Sequence, residues 1–201
     1  MKASAKSLSA SAKHFSQLRI IGGQWRGRKL RFPELDGLRP TGDRIRETLF
    51  NWLAPELPGA RCLDLFAGSG ALGLEALSRG AELSVMFERD ARAANYLREN
   101  LQLLGAGGGA VEQADTLARL RQGYREQPFD VVFIDPPFAL NLWQASIDGL
   151  ESGGWLAESA SIYIESGLDA PYQVPANWVL HRDKRAGKVN YRLYYREQPN
   201  A

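Results

Sequence analysis

Residues 62–70 read Cys62-Leu63-Asp64-Leu65-Phe66-Ala67-Gly68-Ser69-Gly70, a short apolar run that ends in a glycine-rich turn. Residues 72–77 then predict a helix that begins at the glycines. A strand, a tight turn and a helix N-terminus in this order present free backbone N–H groups and partial positive charge to a ligand. Gly68, Gly70 and Gly73 also match the dinucleotide fingerprint G-x-G-x-x-G, so the turn alone is compatible with a nicotinamide cofactor.

Asp64 indicates which cofactor this turn holds. Its carboxylate stands four residues before Gly68, where the amino group or the sulfonium of S-adenosylmethionine would lie, and it would be poorly placed beside a pyrophosphate. S-adenosylmethionine is therefore the predicted cofactor. The residues predicted to hold it at this turn are Asp64, Phe66, Ala67, Gly68, Ser69 and Gly70.

Polar residues also follow the next two predicted strands. Glu88 ends the apolar run 83–87, about 20 residues after the glycine turn, where an acid can accept both ribose hydroxyls. Its neighbour Arg89 is included in the predicted cofactor site. Asp115 follows a third, short strand, and it either accepts a hydrogen bond from the adenine amino group or caps the helix that begins at Thr116.

The motif Asp135-Pro136-Pro137-Phe138 predicts the reaction, because it directly follows the apolar strand Phe129–Ile134. An exocyclic amine on a nucleobase is a poor nucleophile, since its lone pair is delocalised into the ring. Acceptance of its two protons by the Asp135 carboxylate and the Pro136 carbonyl would free that lone pair, and the carboxylate would stabilise the positive charge that builds on nitrogen. Phe138 offers a stacking face for a base removed from its stack.

The chain alternates apolar strands with helices from about residue 60 onward. Residues 62–66, 83–87 and 160–164 read as strands like Phe129–Ile134, and such alternation predicts an α/β fold with a mostly parallel, Rossmann-like sheet covered on both faces. Residues 178–181 and 189–195 predict an antiparallel C-terminal hairpin.

The 201 residues carry a net charge of +2 that is unevenly distributed. Residues 1–54 carry +7, residues 55–180 carry −9 and residues 181–201 carry +4, as expected if a polyanion meets the two ends while chemistry proceeds in the middle. The predicted units are a disordered basic tail (1–16), an RNA-binding hairpin and helix (17–54) and a catalytic domain (55–201). The residues predicted to contact RNA are Arg19, Trp25, Arg26, Arg28, Lys29, Arg39, Arg44, Arg46, Lys184, Arg185 and Lys188.

Composition excludes several other classes. No apolar run reaches 18 residues, so neither a transmembrane helix nor a membrane partner is expected, and a cytoplasmic monomer is predicted. Cys62 is the single cysteine and reads as an inert strand residue. His14 and His181 stand apart from other metal-binding residues, so no metal site is predicted.

At these residues the chain resembles the bacterial 16S ribosomal RNA guanine-N2 methyltransferases of the RsmD type. The resemblance covers residues 18–195, and its most specific blocks lie near the N-terminus. The matching stretches are residues 19–30 (Arg-Ile-Ile-Gly-Gly-Gln-Trp-Arg-Gly-Arg-Lys-Leu), 38–41, 43–44, 46–53, 64–70, 75–79, 135–138 and 191–194.

This resemblance implies a class I methyltransferase fold of seven strands, with S-adenosylmethionine as donor. It implies one guanine of 16S ribosomal RNA as target, presented on an assembling 30S subunit. Asp64, Gly68 and Gly70 would hold the methionine part and Glu88 the ribose, while residues 135–138 would hold the guanine.

Three alternatives stay open at this point. An adenine-N6 or cytosine-N4 methyltransferase acting on DNA or other RNA would use nearly the same chemistry. A nicotinamide-dependent oxidoreductase would use the glycine turn but leave Asp64 and the Asp-Pro-Pro-Phe motif unexplained. A non-catalytic RNA-binding protein could keep the fold, although the presence of Glu88 and Asp135 argues against it.

Overall fold

The computed structural model describes residues 15–34 and 42–197, which form nine strands and five α-helices. A 3-10 turn, Phe138–Leu140, follows the sixth strand. In chain order the elements are β1 (Phe15–Arg19), β2 (Lys29–Pro33), α1 (Asp43–Trp52), β3 (Arg61–Asp64), α2 (Gly73–Ser78), β4 (Leu83–Glu88), α3 (Ala91–Leu104), β5 (Gly109–Gln113), α4 (Thr116–Leu120), β6 (Phe129–Ile134), α5 (Trp143–Ser152), β7 (Leu156–Gly167), β8 (Trp178–Ala186) and β9 (Val189–Arg196).

Seven strands form one sheet in the order β5-β4-β3-β6-β7-β9-β8. The first five are parallel, and β9 pairs antiparallel with both β7 and β8. This confirms the predicted α/β fold with an antiparallel C-terminal hairpin. The chain runs outward from β3 to β5 and then returns to β6 on the other side of β3. A crevice therefore opens at the carboxyl ends of β3 and β6, where ligands bind in open α/β sheets.

Both faces of the parallel strands are buried, which explains their continuous apolar sequences. On β6, Val132 and Ile134 face one apolar cluster that includes Trp155 and residues of α4 and α5. Val131 and Phe133 alternate with them and face a second cluster that includes residues of α1 and α2. Because successive side chains of a strand point to opposite faces of the sheet, one apolar run contributes to both apolar clusters.

The N-terminal segment packs into the same molecule as the sheet. β1 pairs antiparallel with β2, and Leu18 and Leu30 of this hairpin share an apolar cluster with Leu97 of α3. The Asn100 side chain of α3 donates to the Arg31 carbonyl at 2.9 Å. Strand β1 begins at Phe15, so residues 15 and 16 of the predicted tail 1–16 belong to a strand, and residues 1–14 lie outside the described residues.

Helix α1 lies in the predicted hairpin-and-helix segment 17–54 and begins at Asp43. Gly42 occupies the N-cap position and makes no side-chain capping bond. Leu49 and Phe50 on this helix are fully buried, because they lie on its apolar face.

The C-terminal hairpin is longer than the sequence predicts, because β8 continues to Ala186. The middle residues of β8 are mostly exposed, because this strand lies at the sheet edge. The register of its pairing with β9 shifts between Leu180 and Arg182. Across the part of the chain that the structure describes, no helix combines the length and apolar character needed to cross a membrane.

Candidate active site

A cavity of about 1060 Å³ opens at the carboxyl ends of the parallel strands. This volume is slightly above the range of about 300–1000 Å³ that is usual for small-molecule sites. The glycine turn and the Asp-Pro-Pro-Phe motif both line it, together with Glu88, Arg89 and Asp115. The predicted cofactor and target sites therefore share one cavity; Gly70, the last residue of the glycine turn, is not among its lining residues.

Asp64 lies at the end of β3 and is 1% exposed. Its carboxylate accepts hydrogen bonds from the Phe66 and Gly73 N–H groups at 3.3 and 3.1 Å. Burial raises the pKa of Asp64 to about 7, against these two bonds and with smaller contributions from the charges of Asp135 and Glu88. A cation bound beside Asp64 would stabilise its ionised form, as the ammonium or sulfonium of S-adenosylmethionine could do.

The glycine turn passes close to α3, and this requires a glycine at residue 70. Gly70 has φ of +81°, and a Cβ there would lie 2.5 Å from Leu97 Cδ2. The N–H of Gly68 donates to Glu88 Oε2 at 2.9 Å, and the N–H of Asp90 donates to Glu88 Oε1 at 2.6 Å. Glu88 is thus held at the cavity wall by backbone on both sides.

Asp115 performs the structural role that the sequence left open. Its side chain caps α4 by accepting from the Ala118 N–H at 2.9 Å. The residue is exposed and also lines the cavity, so a contact with the adenine amino group stays a prediction.

The Asp-Pro-Pro-Phe motif directly follows β6 and lines the same cavity. Asp64 is paired with Phe133 in the sheet, so Asp135 lies two residues further along the neighbouring strand. Pro136 is buried, whereas Phe138 is 39% exposed. The Phe138 ring lies 5.5 Å from the Trp143 ring between centroids, and this contact supports it at the cavity wall.

Sequence reasoning missed Glu165, which lines the same cavity and is 6% exposed. Tyr163 donates its hydroxyl proton to Glu165 Oε2 at 2.9 Å. The signal was available in the sequence, because Glu165 directly follows the predicted strand 160–164 as Asp135 directly follows Phe129–Ile134.

Arg46 does not belong to the predicted RNA surface, and this prediction was wrong. The residue is 1% exposed because it lies on the same helix face as Leu49 and Phe50. Its guanidinium donates to the Arg19 carbonyl at 3.0 Å and to Asp43 Oδ1 at 2.6 Å. It also lies 3.5 Å from the buried carboxylate of Glu75.

The buried Glu75 connects the N-terminal segment to the helix that follows the glycine turn. It accepts from the Ile21 N–H at 2.9 Å and from Arg79 Nε at 2.8 Å. The adjoining turn approaches α2 so closely that a Cβ at Gly23 would lie 1.8 Å from the Ser78 carbonyl oxygen. Arg46 and Glu75 thus hold α1, the hairpin turn and α2 together.

The other residues predicted to contact RNA differ in exposure. Trp25 is half-buried and packs against the cluster formed by the hairpin and α3. Arg19 is exposed and forms an ion pair with Asp43 at 3.5 Å, and Lys184 lies 5.7 Å from the Trp52 ring centroid. Arg39 lies outside the described residues. The remaining predicted contacts are exposed, namely Arg26, Arg28, Lys29, Arg44, Arg185 and Lys188, and the last of these also lines the cavity.

The surroundings of Cys62 agree with its interpretation as an inert strand residue. Cys62 is buried on β3, and burial raises the pKa of its thiol, which keeps it unreactive. Within residues 15–34 and 42–197, no cluster of three or more His, Cys, Asp or Glu side chains could hold a metal ion.

The solved structure of the Escherichia coli protein yhhF matches this chain with a TM-score of 0.82 and 53% identity, over 92% of this chain and 100% of that chain. The magnesium protoporphyrin IX methyltransferase ChlM of Synechocystis, solved with bound SAM, matches with a TM-score of 0.59 and 18% identity, over 77% of this chain and 79% of that one. The second likeness concerns the fold alone. The fold is that of the class I S-adenosylmethionine-dependent methyltransferases.

The sequence comparisons identify the family within this class. The family model described as Conserved hypothetical protein 95 matches residues 18–195. The Escherichia coli K12 protein named Ribosomal RNA small subunit methyltransferase D is 54% identical over 182 residues, which cover 90% of this chain and 91% of that protein. The chain therefore belongs to the Conserved hypothetical protein 95 family, which confirms the resemblance seen in the sequence.

Proposed function

We propose that this protein is an S-adenosylmethionine-dependent methyltransferase that methylates the N2 amino group of a guanine in 16S ribosomal RNA. The observation that supports this most is the shared cavity, because Asp64 and Asp135 both line it from neighbouring strands. The name of the Escherichia coli relative supports ribosomal RNA of the small subunit as the substrate class.

The residues present fit S-adenosylmethionine, which supplies an electrophilic methyl group when bound. Asp64 would hold the cationic part, since a buried carboxylate with a raised pKa gains most from a positive partner. Glu88 would accept the ribose hydroxyls, and its position is fixed by the Gly68 and Asp90 N–H groups. The same cavity is also lined by other residues predicted to hold the cofactor, namely Phe66, Ala67, Ser69 and Arg89.

The target amine would be held by the motif that follows β6. The Asp135 carboxylate and the Pro136 carbonyl would accept the two amine protons, and this favours attack by the nitrogen lone pair. Asp135 would also stabilise the positive charge on nitrogen until the proton leaves. Phe138, supported by Trp143, would stack on the flipped base.

Exposed basic residues at both ends of the chain would bind the RNA backbone. Arg26, Arg28, Lys29 and Arg44 belong to the N-terminal segment, and Arg185 belongs to the C-terminal hairpin. Together with Lys188 at the cavity, they would position one nucleotide for entry. We propose that the protein acts as a monomer on an assembling 30S subunit.

A product assay tests this function. The protein is incubated with methyl-labelled S-adenosylmethionine and with small-subunit particles, naked 16S RNA or duplex DNA, and the modified nucleoside is identified by mass spectrometry. We expect N2-methylguanosine in 16S RNA. Label found instead in N6-methyladenine, N4-methylcytosine or DNA would overturn the proposal.

A further inference from the structure

Glu165 lies on β7 beside the point where Asp135 directly follows β6. Ile134 is paired with Ile164 in the parallel sheet, so the next residue on each strand is an acid at the cavity. Neighbouring strands lie about 4.8 Å apart. Both acids line the cavity where the proposed target base would enter.

The contacts of Glu165 fix its position. Its main-chain carbonyl accepts from Trp143 Nε1 at 2.8 Å, and its Oε2 accepts from the Tyr163 hydroxyl at 2.9 Å. Burial raises the pKa of Tyr163 well above its usual value, with a smaller contribution from the charge of Glu165, so the hydroxyl stays a neutral donor. The Tyr163 hydroxyl occupies one of the about four acceptor positions that a carboxylate offers.

Guanine differs from the other bases in a way that a pair of carboxylates can recognise. Its Watson–Crick edge presents two neighbouring donors, the N1–H and the N2 amino group. Adenine N1 and cytosine N3, which lie beside the amino groups of those bases, are acceptors and would be repelled by a carboxylate. Enzymes that flip a base commonly read this edge by hydrogen bonds.

We propose that Glu165 accepts the N1–H of the target guanine while Asp135 accepts the N2 amine, and that Glu165 thereby selects guanine. This inference rests on the proposed function, since it assigns a specificity role within the same cavity. It also provides a physical reason for rejection of adenine and cytosine, because a site built to accept an N–H loses that bond and gains repulsion when the base presents a lone pair.

Base analogues at the target position test the role of Glu165. Small-subunit RNA is ligated so that the mapped target position carries guanine, 2,6-diaminopurine or 2-aminopurine. Both analogues keep the 2-amino group, but their N1 is an acceptor. We expect the wild-type protein to methylate guanine with a kcat/KM at least about 100-fold higher than either analogue.

Glu165→Gln should change this preference rather than lower all rates together. The amide can donate to the N1 of either analogue, so the ratio of kcat/KM for guanine to that for each analogue should fall at least about tenfold. Glu158→Gln is the matched control, because Glu158 is an exposed acid on the same strand and does not line the cavity. It should leave the ratio unchanged.

The outcomes separate this inference from the function on which it rests. Wild-type protein that methylates guanine and the analogues equally would overturn the role of Glu165 without any variant being made, while the proposed function would stand. If Glu165→Gln lowered kcat/KM by the same factor on all three bases, Glu165 would have a structural role only. This result would also overturn its role in selecting guanine. Absence of N2-methylguanosine with every substrate would overturn the function itself.

Discussion

At the scale of single residues, the site depends on carboxylates whose surroundings differ. Asp64 is buried and bonded to two backbone N–H groups, and Glu88 is half-buried and likewise held by backbone. The sequence predicted these positions because each acid ends an apolar strand. It could not show that Arg46 is buried, since a guanidinium on the apolar face of a helix is tolerated only where acids such as Asp43 and Glu75 meet it.

The raised pKa of Asp64 predicts that cofactor binding depends on pH. The free protein holds Asp64 protonated below about pH 7, and the cationic cofactor favours the ionised form, so binding must expel a proton there. Affinity for S-adenosylmethionine should therefore rise as pH increases toward about 7 and level off above it, with a slope of at most about tenfold per pH unit.

Calorimetry between pH 5.5 and 8 in buffers of different ionisation enthalpy measures both the affinity and the proton release. Asp64→Asn should bind more weakly and lose the pH dependence. An affinity of the wild-type protein that stays constant across this range would argue against a contact between Asp64 and the cation.

Asp135 should affect methyl transfer but not cofactor binding. Asp135→Asn removes the charge that stabilises the developing positive nitrogen, so kcat should fall by about 100-fold or more, as with other single electrostatic groups. The affinity for S-adenosylmethionine should stay within about twofold, because Asp64 and Glu88 remain.

Single-turnover assays on small-subunit particles, together with calorimetry, separate the two effects. Asp169→Asn provides the control, since Asp169 is an exposed acid that does not line the cavity. Turnover by Asp135→Asn at the wild-type rate would remove Asp135 from the proposed chemistry.

At the scale of secondary structure, the apolar strands and the glycine turn were predictable because burial on both faces gives continuous apolar runs. The edge strand β8 was predicted too short, since its exposed middle carries charged residues that resemble a loop in sequence. The links between the hairpin turn and α2 were not predictable either. They join Ile21 to Glu75 and Gly22 to Ser78, which are over 50 residues apart.

Two arginines on α1 should behave oppositely, although they are separated by one residue. Arg46→Met leaves the fully buried Glu75 without one of its charged partners, and should lower the free energy of unfolding by about 3 kcal/mol. Arg44→Met changes an exposed side chain and should alter it by less than about 0.5 kcal/mol.

Urea unfolding monitored by tryptophan fluorescence measures both values. When RNA affinity is measured on the folded proteins, Arg44→Met should lose more affinity than Arg46→Met. Equal stability of the two variants would contradict the linking role of Arg46.

At the scale of the whole molecule, a central acidic cavity is flanked by basic ends, as the uneven charge of the sequence indicates. Sequence could place the charges in segments but not on a surface. The structure shows that the hairpin carrying Arg28 and Lys29 packs against α3, which is the helix that follows Glu88.

The basic surface should contribute to RNA affinity through counterion release. Arg26→Ala combined with Arg28→Ala removes two proposed phosphate contacts, so RNA affinity should fall. The negative slope of log affinity against log salt should become smaller in magnitude by about two. Binding of S-adenosylmethionine should not change.

Filter binding of 16S RNA between 50 and about 200 mM salt gives this slope. Arg121→Ala with Arg125→Ala is the matched control, because both arginines are exposed and neither is proposed to contact RNA. The same slope in the wild-type protein and the Arg26/Arg28 variant would exclude these residues from the RNA surface.

The central claim is that one cavity holds the methyl donor and the target amine together, and a bisubstrate analogue tests it most directly. The analogue joins the adenosyl group to the N2 of guanosine through a short linker that replaces the transferred methyl group, and its Kd is measured by calorimetry. We predict binding at least about 100-fold tighter than that of S-adenosylhomocysteine, with a loss of affinity in both Asp64→Asn and Asp135→Asn. Binding no tighter than that of S-adenosylhomocysteine, and unaffected by Asp135→Asn, would contradict the claim.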